Sequence, residues 1–198
     1  DMLAVNKRYL SDDMFVQPNR LQQTNQKTQA DELILQDPDT YYRVLNMAVI
    51  TFNDNSTSYF HKSIGGYHAA KLRRYQELIE EHISKEMPVL QQAVAATSGM
   101  LDECNGDSLF PVLNMLNMKY VELGLQGGGR APVQNPWVNG NAWFVDDIQY
   151  VADADAEIDG LHYIDTKHQA IADERFRAVL GEAGAEGGTT ELTKYEAN

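Results

Sequence analysis

The sequence predicts an α/β or α+β fold, a small mixed sheet covered by helices in a single domain. Short stretches rich in β-formers alternate along the chain with stretches of helical periodicity. A chain of 198 residues, 43% hydrophobic and 23% charged, is long and apolar enough to bury one sizeable core. No internal repeat and no linker-like shift in composition separates two domains.

Residues 1–28 are polar and rich in Gln and Asn, and read as an extended lead-in; residues 29–181 read as the folded domain; residues 182–198, rich in Gly, Glu and Thr, read as a flexible tail. Ala30 to Gln36 forms a short helix that the Asp37-Pro38 break ends. Tyr41 to Asn46 is a strand that extends toward Thr51, and Asn53 to Ser58 is a loop by composition. Gly65-Gly66 opens into a helix over Tyr67 to Lys85, because Ala70, Leu72, Tyr75, Leu78, Ile79 and Ile83 recur at helical spacing. Pro88 interrupts it, and Val89 to Ala96 follows as a second helix. Leu109 to Asn117 is a helix with Pro111 in its first turn, where the missing amide costs little. Lys119 to Leu123 is a strand, and Gln126 to Gly140 a long Gly/Pro loop. Ala142 to Val145 and Ile148 to Val151 read as strands, with Trp143 a core anchor in the first. Asp155 to Ile164 is a helix, and Ala170 to Ala172 a short strand.

The charge is strongly uneven. The formal net charge is −13, and thirteen acids against four Lys/Arg follow from Asp146 onward. Between Asn55 and Gln76 there is no acid, while Lys62, Lys71, Arg73 and Arg74 all fall there. This basic island in an acidic chain marks a surface that meets an anion, or one that pairs with the protein's own acids, such as Asp153 or Asp155. Its two glycines allow a tight turn, and a helix opening directly after them would present unpaired amides. The candidate ligand-binding set is therefore Lys62, Gly65, Gly66, Tyr67, His68, Lys71 and Arg74, an anion-receptive corner. Tyr59, Trp137 and Trp143 add aromatic faces of the kind that, beside polar and cationic groups, suit sugars.

Other chemistry finds little support in the sequence. The acidic balance disfavours nucleic acid, whose phosphates require a cationic face. The lone Cys104, set between Glu103 and Asn105 with Asp102 nearby, makes no internal disulfide and is a poor nucleophile. His61, His68, His82, His162 and His168 show no metal-ligand spacing, and no acid lies between His61 and His68 to complete a set. The expectation is no metal, no cofactor and a fold that needs neither. Gly127-Gly128-Gly129 lacks the ending of a phosphate-binding loop, and Ser63 is not in a nucleophile elbow. Asp146, Asp147, Asp153, Asp155, Glu157 and Asp159 include pairs able to act as acid and base, but spacing along the chain does not set their separation across a substrate. There is no apolar run of about 18 residues, the length a membrane helix requires.

Three stretches carry a resemblance: Tyr41 to Ile83 with its SIGGYHAAKLRRYQ string, Phe110 to Leu123 (FPVLNMLNMKYVEL), and Asn135 to Val151 (NPWVNGNAWFVDDIQYV). Together they resemble YfhO-type bacterial membrane proteins, most closely the large Bacteroidetes members. The resemblance implies a soluble extracytoplasmic region of a polytopic protein, on the periplasmic face of the inner membrane. It implies a parent glycosyltransferase of the GT-C type, dependent on a lipid carrier and acting on envelope polymers. The family's catalytic acids lie between its first membrane helices, so the resemblance implies no catalytic residue in this chain. The implied role is accessory: acceptor recognition or packing, with the transmembrane helices of the same polypeptide, an envelope glycan or a lipid-linked sugar as partners. A non-enzymatic structural or protein-interaction module at the membrane face is the alternative.

Overall fold

The computed structural model describes Phe15, residues 26–39 and residues 41–181. The expected lead-in falls largely, and the expected tail wholly, outside these residues. Strands β1 (Arg43–Asn46), β2 (Met118–Gly124) and β3 (Arg130–Gln134) form a mixed sheet in that spatial order, β1 parallel and β3 antiparallel to β2. The fold is α+β, as the alternation of patterns predicts.

Strand alternation sends successive side chains to opposite faces, and here the two faces carry different chemistry. Val44 and Asn46 lie in register with Tyr120 and Glu122, and Leu45 with Val121. Leu45 and Val121 enter the main core with Ile64, Ile79, Ile83, Leu90, Phe110 and Leu113. Each such fully buried side chain contributes about 1.5–3 kcal/mol. The opposite face packs Val44 and Tyr120 with Ile34 and Tyr42 in a smaller cluster. It is covered by helix α1 (Gln29–Ile34), which packs on β3. Thr28 and Asp31 form a reciprocal capping box that fixes where α1 starts.

Several expectations are corrected. The glycines do not open into a helix: α2 starts at Arg73 (Arg73–Leu78), passes through a π turn over Ile79–Ile83 and continues as α3 (Ser84–Ala96). Pro88 lies inside α3 and does not interrupt it. The wide π turn just upstream is the kind of break in the helical ladder at which a helix absorbs a proline. The helix expected over 109–117 is two short ones, α4 (Gly106–Leu109) and α5 (Pro111–Met115). The loop expected over 126–140 contains β3. Its Pro132 is tolerated because β3 is an edge strand. The three glycines Gly127, Gly128 and Gly129 all have positive φ and make the turn of the β2–β3 hairpin.

A second, two-stranded parallel sheet joins β4 (Asp147–Val151) to β5 (Gln169–Asp173) through α6 (Ala154–Gly160). Residues 142–145 form no strand, so Trp143 is half-buried outside any sheet, its indole donating to the Thr166 carbonyl at 3.0 Å.

Candidate functional site

The basic island does not form one site. Gly65 and Gly66 fold against the turn at Thr51. The Gly66 amide donates to the Thr51 carbonyl at 2.7 Å, the Gly65 amide to Ser63 Oγ at 3.0 Å, and the Tyr67 amide to Asn55 Oδ1 at 2.7 Å. A Cβ on Gly65 would stand 2.1 Å from the Thr51 carbonyl oxygen, and Gly66 has φ +114°. The glycines thus serve a close backbone approach, and the Gly66 and Tyr67 amides, expected to receive an anion, are already spent. Lys62 lies over the Tyr41 ring at 4.8 Å and Lys71 over the Phe52 ring at 5.4 Å. Arg74 lines a separate hollow with Glu77, Asp155 and Glu157, facing the acids of α6. His68 is exposed and accepts the Ala70 amide at Nδ1.

What the fold does bring together lies on the α1 side of the sheet. The segment at Ser63 adds a parallel rung beside Val44, with the Val44 amide donating to the Lys62 carbonyl at 2.8 Å. That rung carries His61 inward. Asp31 reaches in from α1, and Asn46 and Glu122 from paired positions of β1 and β2. All four are buried. His61 Nε2 stands 2.9 Å from Asp31 Oδ1. Asn46 Nδ2 donates to Glu122 Oε2 at 2.7 Å and to Thr57 Oγ1 at 2.9 Å. Arg130 Nη1 donates to Glu122 Oε2 at 3.2 Å. Glu122 Oε1 is buried and has no hydrogen-bond donor beside it; the Asp31 carboxyl, with which a protonated Glu122 can share its proton, is its polar neighbour. One donor atom each from Asp31, His61 and Glu122 lie within 4.8 Å of one another.

The electrostatics follow from this crowding. Burial, then the neighbouring Asp31 carboxylate, push Glu122 up to about 7, while Arg130 pulls the other way. Burial also acts to raise Asp31, but the hydrogen bonds from Thr28 and His61 outweigh it and hold Asp31 below the usual carboxylate range. Burial holds His61 down, favouring the neutral imidazole, and Asp31 opposes it.

Beside this cluster a cleft of about 410 Å³ opens to solvent, lined by Asp37, Asp39, Tyr42, Tyr59, His61 and Lys62 among others. Its acidic wall is held in place. Lys119 Nζ lies 2.6 Å from Asp37 Oδ2 and 3.3 Å from Asp39 Oδ2, and the Tyr120 hydroxyl donates to Asp37 at 2.7 Å. Tyr59 stands at the rim, 62% exposed. Of the other aromatics expected to suit sugars, Trp137 is half-buried and donates to the Leu101 carbonyl at 2.6 Å.

Of these residues Lys62 belongs to the expected ligand-binding set; His61 is among the histidines expected not to hold a metal, and Asp31 and Glu122 carry no expectation. A signal for each is legible. Thr28 three residues before Asp31 is a capping-box spacing, and Glu122 is an acid between Val121 and Leu123 in a strand. Neither signal says that the two meet. Among the described residues no helix is long and apolar enough to cross a membrane. Comparison with protein-family models, curated proteins and solved structures finds no match.

Proposed function

We propose that this chain is a soluble extracytoplasmic module of a YfhO-type membrane protein, a GT-C-type glycosyltransferase that uses a lipid carrier and acts on envelope polymers. Its part is acceptor recognition, with the chemistry in the membrane portion of the parent. The cleft is the observation that carries the recognition role. An exposed tyrosine face at the rim, carboxylates fixed by Lys119, and the Lys62 ammonium are the groups that stack on a sugar ring and bond its hydroxyls. The fixed carboxylates lower the ordering cost of binding.

Titration of the protein with neutral and phosphorylated envelope-glycan fragments, followed by amide chemical shifts, tests this. Binding should perturb Tyr59, Lys62 and Asp39, and should weaken about tenfold in Tyr59→Ala, the loss of one stacking anchor. Glycan binding that ignores Tyr59→Ala, or no binding at all, counts against the recognition role.

A packing or interaction role is the second reading, favoured by a different surface. Met47, Ile50, Phe52, Met87 and Pro88 line an apolar hollow of about 470 Å³, and Ile50 is 74% exposed there. Ile50→Asp should abolish co-purification with the membrane portion of the parent protein if that hollow is the packing surface.

A further inference from the structure

We propose that Asp31, His61 and Glu122 form a binding site for one divalent transition-metal ion, with zinc or manganese as the fitting class. The site goes beyond the recognition reading and stands independently of it.

Three observations carry it. First, the donor atoms converge from separate parts of the fold: a helix, the rung beside β1, and the central strand β2. Their mutual distances lie within 4.8 Å, and all three residues are buried. Metal–nitrogen and metal–oxygen bonds of about 2.0–2.2 Å set neighbouring ligand atoms roughly 3–3.5 Å apart, a spacing that small side-chain rotations reach here.

Second, each ligand is oriented by further contacts. Asp31 Oδ2 accepts the Thr28 amide and hydroxyl at 2.6 and 2.7 Å, which leaves Oδ1 turned to His61. Glu122 Oε2 accepts Asn46 and Arg130, and Oε1, buried and unpartnered, is left for the ion. Such outer contacts fix the ligands of a metal centre and tune their basicity.

Third, two carboxyl groups crowd together. They meet in a buried place where, among the described residues, Arg130 is the cation in contact with Glu122. Two like charges brought together out of water require a proton or a cation between them. An imidazole beside two carboxylates is the donor set of zinc, manganese or iron(II), whereas calcium and magnesium take oxygen ligands throughout. Binding moves the imidazole proton from Nε2 to Nδ1, freeing Nε2 as the ligand. The cleft that His61 lines offers the entry path. Once bound, the ion ties α1 to the sheet along one wall of that cleft.

The whole 198-residue chain, stripped with chelator and checked for retained secondary structure, is titrated with zinc chloride and with manganese chloride by calorimetry. Magnesium chloride is the oxygen-ligand control. Bound metal is then counted by elemental analysis after gel filtration. We expect one equivalent of zinc or manganese and no magnesium uptake. Affinity should fall at least tenfold in His61→Gln and in Glu122→Gln, and stay unchanged in His68→Ala, which alters an exposed histidine outside the cluster. Where a variant does not fold, the wild-type protein labelled with ¹⁵N on histidine gives the answer alone: on zinc addition the His61 ring should move from the Nε2–H to the Nδ1–H pattern. No stoichiometric uptake by the wild type overturns the site. So does uptake that His61→Gln leaves intact, or a His61 ring unchanged on zinc addition.

Discussion

Glu86 and Glu122 are both buried carboxyl groups, and burial pushes both up to about 7. Their surroundings differ. Glu86, on α3, accepts the Val112 amide at 3.0 Å on one oxygen and the Leu113 amide at 2.9 Å on the other, so both oxygens are used at the start of α5. Glu122 uses one oxygen for two donors and leaves the other without a partner beside a second carboxyl. Glu86 closes a structural account, since the first amides of a short helix need acceptors and receive them. Glu122 leaves an account open, and an open buried polar atom calls for a proton, a water or an ion. Burial and a raised pKa do not separate structure from site; the count of satisfied lone pairs does.

The largest test of this comparison is Glu86→Ala, which strands two buried amides and should cost about 2–5 kcal/mol of unfolding free energy in urea titrations. Glu86→Gln should cost about 1–3 kcal/mol at alkaline pH, because its amide group turns a donor toward a backbone donor. The pH dependence follows from the raised folded-state pKa. Between the ordinary glutamate value and about 7 the folded protein holds a proton on Glu86 that the unfolded chain has released. The stability from that protonation is fully present at acid pH and is lost as pH rises through about 7. The stability difference between wild type and Glu86→Gln should therefore shrink over that window and become constant above it.

The first two strands of the sheet are legible in the sequence, because β-rich runs such as Tyr41 to Asn46 and Lys119 to Leu123 declare their period locally. The hairpin strand Arg130 to Gln134 is not, because Pro132 and the flanking glycines speak for a loop and only its edge position tolerates them. Local charge pointed to Gly65-Gly66, whereas the glycines answer a contact with Thr51, distant in composition and invisible to a charge count. Gly65→Ala should accordingly cost about 1–3 kcal/mol through backbone displacement, with glycan binding measured separately on the folded fraction. The buried cluster was hidden for the same reason. His61 is 30 residues from Asp31, and Asn46 is 76 from Glu122; the sheet register and the capped helix bring them together.

Smaller effects sharpen the comparison further. Glu122→Gln keeps an oxygen for Asn46 and Arg130 and offers an amide donor to Asp31, so its cost should stay below about 1 kcal/mol in metal-free protein. The same substitution thus hurts at a satisfied carboxylate and is tolerated at an unsatisfied one. Glu81 supplies the exposed reference. Its pair with Lys85, 2.9 Å apart on solvent-facing helix, is screened by water and salt, so Lys85→Ala should leave the urea midpoint unchanged at high ionic strength.

Labelling the glutamate side-chain carboxyl carbons and adding one equivalent of zinc chloride to metal-free protein reads both groups in one experiment. The Glu122 carboxyl resonance should shift with zinc and the Glu86 resonance should stay where it is. A Glu122 resonance that does not move, or a Glu86 resonance that moves as far, would contradict the distinction between a closed carboxylate and an open one.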